Sequence, residues 1–215
     1  MGDASGMGQV FKTTRGEETC AIKVIHEAVE RVRDVLANEI PDSKYVIPIL
    51  ESESRNGQTF LRMPLADHSL GSFRKTRPHG KLTIEEVISA LRDIATSLAD
   101  IGPHVTHRDI KPDNVLWYGG RWCLTDFGLA RIAEATTATF TMKGWGTKEY
   151  IAPELLTGDR ASGKSDIYAL GVAAYLLLMG KYPFEKHGPI STEDIFQWHL
   201  NGEIPRPDSG SSQLD

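Results

Sequence analysis

Between residues 104 and 131 the chain carries Asp109, Asn114 and Asp126, side chains with hard oxygen atoms in an order suited to work on phosphates. Asn114 leads into the apolar run Val115 to Tyr118, then Gly119-Gly120, then Trp122 to Thr125, which predicts a short hairpin with a Gly-Gly turn. A hairpin returns the chain on itself, so Asn114 before it and Asp126 after it can face one site. A metal ion bridging nucleotide phosphates takes hard oxygen ligands and keeps its other positions for water and phosphate, which one amide and one carboxylate permit. Asp109 is then available to accept a hydroxyl proton, and Lys111 to steady a transferred phosphoryl group. Asp and Asn beside a hairpin are also ordinary turn formers. The ordered set, not any single residue, points to phosphoryl transfer.

The run His107-Arg108-Asp109-Ile110-Lys111-Pro112-Asp113-Asn114, followed by Asp126-Phe127-Gly128, resembles the catalytic loop and metal-binding motif of the eukaryotic-type protein kinases. The resemblance extends from about Gly6 to about Pro207, and Lys111 is the residue serine/threonine kinases carry at that place. It implies ATP and Mg2+ as nucleotide and metal, with Asp109 as base and orienter, Lys111 as transition-state cation, and Asn114 and Asp126 as metal ligands. Gly146 to Glu154 resembles the end of a kinase activation segment, with Thr147 near Asp109 and Pro153-Glu154 closing the segment. Thr139 and Thr141 fall where bacterial kinases of this type often carry paired phosphorylatable threonines, and Arg108 is the cation such a phosphate would engage. Short connections and Met-Gly in the glycine loop suggest a bacterial member.

These residues need elements to hold them. Gly-Met-Gly-Gln-Val-Phe-Lys at 6–12 resembles the end of the kinase glycine-rich loop, where bare backbone N–H groups approach phosphates. Gly6, Gly8 and Val10 are the expected nucleotide contacts there, although Asp3 and Ser5 stand where the family has glycines. Cys20 to Ile25 alternates as a half-buried strand and matches the family's Val-Ala-Ile-Lys strand, so Ala21 is expected against the base and Lys23 on the α- and β-phosphates. A helix over about 26–40 should supply an acid to pair with Lys23. Glu39, at the border of the apolar face formed by Val29, Val32, Val35, Leu36 and Ile40, is the geometric choice, while an ungapped alignment with Tyr45-Val46-Ile47 places Asp34 there.

Strands are predicted at Val46 to Glu51 and Thr59 to Met63 around Arg55-Asn56-Gly57. Met63 then falls at the family's gatekeeper position, with Pro64-Leu65-Ala66 as the hinge and Ala66 N–H as a donor to the purine edge. Leu116 is the remaining expected nucleotide contact. Thr83 opens a long amphipathic helix that ends at Gly102-Pro103. A second, more apolar helix begins at Ser165-Asp166, with Asp166 implied to accept backbone hydrogen bonds from the catalytic loop. A last one is suggested around Ile195 to Leu200.

The resemblance implies an α+β, bilobal kinase-like fold. Residues 1–66 form a small β-rich, nucleotide-binding lobe, 67–207 a mainly helical lobe with catalytic loop, activation segment and substrate platform, and 208–215 a disordered tail. The 215 residues are 40% hydrophobic, enough for a substantial core, and the net charge of −5 gives no electrostatic footprint for nucleic acid. The longest apolar run, Ile167 to Met179, is too short to span a bilayer. Cys20 and Cys123 lack metal-ligand spacing and fit free thiols in a reducing cytoplasm. The expected activity is transfer of the γ-phosphate of Mg-ATP to serine or threonine of a protein, with self-association as a route to autophosphorylation. Rivals are a pseudokinase or truncated fragment acting as a nucleotide-binding scaffold, and a small-molecule phosphotransferase, against which Lys111 and the 146–154 segment argue. The family pattern continues beyond residue 215 with two helices and an arginine that pairs with Glu154. On that basis Glu154 is expected to be a buried unpaired charge and the chain alone to be marginally stable.

Overall fold

The computed structural model describes residues 9–16, 18–26, 43–103, 105–127, 131–132, 147–185 and 190–207. It begins with a four-stranded antiparallel sheet, β1 (Gln9–Arg15), β2 (Glu18–His26), β3 (Glu51–Arg55) and β4 (Gln58–Pro64), in the order β1-β2-β4-β3. Register decides which side chains share a face. Val10 lies opposite Lys23, Lys23 opposite Leu61, and Ala21 opposite Met63. Paired residues, and those two apart on one strand, point the same way, so Val10, Ala21, Lys23, Leu61 and Met63 lie on one face of the sheet. The opposite face carries Arg62 between Glu18 and Glu51, at 2.9 Å from each.

One strand boundary differs from the sequence reading. Val46 to Leu50 is not a strand, and pairing starts at Glu51. Its backbone is divided between two partners: Ile47 N–H reaches Leu124 O at 2.9 Å, Leu124 N–H reaches Tyr45 O at 2.8 Å, and Leu50 N–H reaches Arg62 O at 2.8 Å. Val46 thus crosses from the hairpin to the sheet.

After the sheet come α1 (Leu70–Lys75), α2 (Ile84–Ile101), β5 (Val105–Thr106), β6 (Val115–Tyr118), β7 (Arg121–Leu124), β8 (Arg131–Ile132), α3 (Pro153–Leu156), α4 (Gly163–Met179) and α5 (Thr192–Asn201). Helix α2 starts where its sequence says it should. Thr83 caps Glu86 N–H and the Glu86 side chain reaches back to Thr83 N–H, a reciprocal capping box. Its buried residues Val87, Ala90, Ile94, Leu98 and Ile101 recur every three or four positions and form the core with Ala169, Val172, Ala173, Leu176 and Leu177 of α4. Each large aliphatic side chain buried here contributes about 1.5–3 kcal/mol. The predicted hairpin forms from β6 and β7, with Gly119 and Gly120 both at positive φ (58° and 78°). Such a turn is open to glycine and costly for most other residues.

The two cysteines are free and buried, as the sequence suggested. Among the described residues, no helix is long and apolar enough to cross a membrane. Glu154 corrects an expectation: it is half-buried, not sealed away, and its Oε1 accepts a 2.7 Å hydrogen bond from Ser165 Oγ. The helix predicted over 26–40 lies outside the described residues apart from His26, and the tail from 208 lies wholly outside them.

Candidate active site

The hairpin sets the first distances. Val115 pairs with Leu124, and Thr125 N–H donates to Asn114 O at 3.0 Å, so Asn114 and Asp126 flank its open end. Pro112 to Asn114 make one 3-10 turn leading into β6, and Asn114 is buried in it. The Asn114 amide spends its two hydrogens on Asp109, donating to the backbone oxygen at 2.7 Å and to Oδ2 at 2.9 Å. Its carbonyl oxygen is therefore the atom with which it could ligate a metal.

Asp109 is contacted at both carboxylate oxygens. Oδ1 accepts Thr147 Oγ1–H at 2.9 Å and Thr147 N–H at 3.2 Å, while Oδ2 faces Lys111 Nζ at 2.9 Å. Lys111 Nζ also donates to Thr147 Oγ1 at 2.6 Å. Burial opposes ionisation of Asp109, but the Lys111 charge and the hydrogen bonds from Lys111, Asn114 and Thr147 outweigh it and hold the carboxyl below the usual carboxylate range. The carboxylate is thereby kept ionised and fixed in orientation.

The loop around Asp109 is held from behind. Asp166, in the first turn of α4, accepts His107 N–H and Arg108 N–H, both at 2.8 Å. Burial pushes the Asp166 carboxyl up, with these two backbone donors opposing it. His107 is fully buried and links both halves of the site: Nε2 donates to Thr125 O at 3.0 Å, and Nδ1 accepts Asp109 N–H at 3.3 Å. Its ring lies 4.7 Å from Phe127. Arg108 and Asp126 sit at positive φ, 70° and 66°, a conformation uncommon for residues with side chains and held here by these contacts.

Lys23 Nζ contacts Asp126 Oδ1 at 2.5 Å and is 6% exposed. This contact turns the face bearing Val10, Ala21 and Met63 toward Asp126. Pro64 ends β4, and the segment after it is tied to β6 by Asp67 N–H to Trp117 O (3.0 Å), Trp117 N–H to His68 O (2.8 Å) and a bridge between Ser69 and Leu116. Leu116 and Ala66, both half-buried, thus belong to neighbouring stretches of backbone. Gly6, Gly8, Glu39 and its alternative Asp34, Gly128, Thr139, Thr141 and Gly146 lie outside the described residues. Lys23 pairs with Asp126 here, a contact the sequence reading did not include.

The donor set suits magnesium. One carboxylate and one amide oxygen leave most positions of an octahedral ion for water and phosphate oxygens, the arrangement this cation favours. Among the described residues, no group of three His, Cys, Asp or Glu side chains could form a cage of protein ligands alone.

Sequence reasoning missed a second polar cluster beside Thr147. His199 of α5 places Nδ1 2.7 Å from Tyr168 Oη and Nε2 3.2 Å from Lys148 O. Burial draws its imidazole down to about 4, with backbone hydrogen bonds opposing. The folded state therefore stays neutral where the unfolded chain takes up a proton near pH 6.5, so stability is full above that pH and falls as pH drops toward 4. The loss expected is about 3 kcal/mol. Urea midpoints of the wild type and His199→Gln between pH 7 and 4.5 check this: the wild type should lose more stability on acidification than the variant.

A small antiparallel sheet bearing a lysine, set against a mainly helical part whose loops gather the acids, defines an α+β fold of the protein kinase type. The chain belongs to the protein kinase domain family, whose model matches residues 4–214. It is similar to the serine/threonine-protein kinase PknD of Mycobacterium tuberculosis, 34% identical over 94% of this chain and 32% of the relative. It is also similar to a probable serine/threonine-protein kinase of Bifidobacterium longum, 30% identical over 93% of this chain and 28% of the relative. A third relative, the serine/threonine-protein kinase PrkC of Bacillus subtilis, is 37% identical over 59% of this chain and 19% of its own length. The chain thus spans about a third or less of the length of these relatives.

Proposed function

We propose that this chain is the catalytic part of an ATP-dependent serine/threonine protein kinase, moving the γ-phosphate of Mg-ATP to a serine or threonine hydroxyl of a protein. The observation that carries the reading is Asp109, ionised by Lys111 and held by Asn114 and Thr147. In the proposed reaction Asp109 orients the acceptor hydroxyl and takes its proton, and Lys111 sits beside the charge that develops on the moving phosphoryl group. Asn114 and Asp126 would hold Mg2+, which when bound neutralises charge on the phosphates. Lys23 would position the α- and β-phosphates. Val10, Ala21, Met63, Pro64, Ala66 and Leu116 would surround the base, with Gly6 and Gly8 over the phosphates and Glu39 or Asp34 behind Lys23.

The division into a nucleotide-binding lobe at 1–66 and a catalytic lobe at 67–207 belongs to the same reading. So do a reducing, cytoplasmic setting, supported by two free buried cysteines, and autophosphorylation at Thr139 or Thr141 through self-association. The relatives' names support a protein acceptor, as does Lys111 at the place serine/threonine kinases carry it. The presence of Lys23, Asp109, Asn114 and Asp126 argues against a non-catalytic scaffold. The test is label transfer from γ-labelled ATP, with Mg2+, to a generic basic protein and, separately, to small hydroxyl compounds. Label on serine or threonine of the protein is the expected result; label only on the small acceptors would overturn the reading.

A further inference from the structure

We infer that His199 is a positioning residue for phosphoryl transfer, through a hydrogen-bonded clamp that joins α4 and α5 to the turn presenting Thr147 to Asp109. The inference rests on the catalytic reading of Asp109.

Thr147 starts the 3-10 turn at Lys148–Tyr150, and Tyr150 N–H closes that turn on Thr147 O at 2.9 Å. The next carbonyl, Lys148 O, accepts from His199 Nε2. A carbonyl oxygen can only accept, so Nε2 carries the hydrogen and Nδ1 is left to accept from Tyr168 Oη–H. A neutral imidazole does both tasks at once, and burial keeps this one neutral at ordinary pH. Lys148 Nζ adds a second tie to α5, donating to Thr192 Oγ1 at 3.1 Å.

Tyr168 lies two residues after Asp166 on α4. The start of α4 therefore fixes the Asp109 loop through Asp166, and the Thr147 turn through Tyr168 and His199. The two partners of the Thr147 to Asp109 hydrogen bonds are thereby referenced to one rigid helix. Packing holds the imidazole in place: Trp198 and Phe184 present rings 5.3 and 5.8 Å from it, and His199 is 5% exposed. Both ring nitrogens are taken, by Tyr168 Oη and Lys148 O, so its effect passes through the turn that Thr147 starts.

The test compares wild type, His199→Ala, His199→Gln and Tyr168→Phe in the 215-residue chain. Glutamine retains one donor and one acceptor, so it separates the clamp from the volume of the ring. Amide hydrogen exchange at Tyr150 reads the turn without catalysis; steady-state transfer to a basic protein reads its consequence. Losing a single hydrogen bond of this kind is expected to speed Tyr150 exchange by up to about tenfold in His199→Ala and Tyr168→Phe. Transfer to the protein acceptor should fall by a similar factor, with KM for ATP unchanged and His199→Gln close to wild type in both. Wild-type exchange at Tyr150 in His199→Ala overturns the inference, and so does equal impairment of the alanine and glutamine variants. If the wild type itself transfers no phosphate, the proposed function falls, while the exchange measurement still decides whether the clamp holds the turn.

Discussion

Asp109→Asn is expected to slow phosphoryl transfer by about a hundredfold to ten-thousandfold, the usual range for losing a positioned acid or base. Asparagine keeps the size of the side chain and can still accept from Thr147, but it cannot take a proton. It also loses the charge that faces Lys111 at 2.9 Å. Because Asn114 and Asp126 are the expected metal ligands, nucleotide affinity in the presence of Mg2+ should stay within a few-fold of wild type. Stopped transfer alongside a fluorescent-nucleotide titration checks the pair of outcomes. Rapid turnover in Asp109→Asn would remove this residue from the proton-accepting role.

The second large effect concerns stability. Asp166→Ala strips acceptors from the N–H groups of His107 and Arg108, inside a region where Asp166 is 3% exposed. Each buried donor left without a partner costs about 1–3 kcal/mol. Part of that is offset, because burial of the carboxylate is itself unfavourable. The net loss expected is about 2–4 kcal/mol, a large share of the 5–15 kcal/mol typical of a domain. Urea unfolding should show a lower midpoint with an unchanged slope, and transfer should fall with it because Arg108 and Asp109 are consecutive. An unaltered midpoint would mean that those N–H groups find other acceptors.

The readable parts of the molecule were the local ones. The Gly-Gly hairpin, the capped and periodic α2, and the apolar run of α4 from Ile167 are each announced locally, since turn chemistry and hydrophobic period are sequence-local signals. The candidate site residues were legible as a group for a different reason. Asp109, Lys111, Asn114 and Asp126 stand close together in the chain, with one hairpin between them. What escaped was long-range. His199 meets Lys148 and Tyr168 across 51 and 31 residues, and no periodicity marks a polar residue that will be buried by three separate elements. Val46 misled for a related reason: its β-branched apolar neighbourhood reads as a strand, while the hydrogen bonds of its segment are drawn to Leu124 and Arg62 on different sheets. The Lys23 to Asp126 contact spans 103 positions, and no local signal at either residue announces it.

In the proposed reaction Asp126 acts through the metal and Asp109 through the acceptor hydroxyl. The measurement that tests it most directly is single-turnover transfer of labelled phosphate to a basic protein by wild type, Asp126→Asn and Asp109→Asn as Mg2+ is raised. Asp126→Asn is expected to need at least about tenfold more Mg2+ than wild type and to recover part of its rate as the ion is added, because a proposed ligand to the ion has been weakened. Asp109→Asn should stay slow at every Mg2+ concentration. Recovery of Asp109→Asn with Mg2+, or an Asp126→Asn variant with the wild-type Mg2+ requirement, would contradict it.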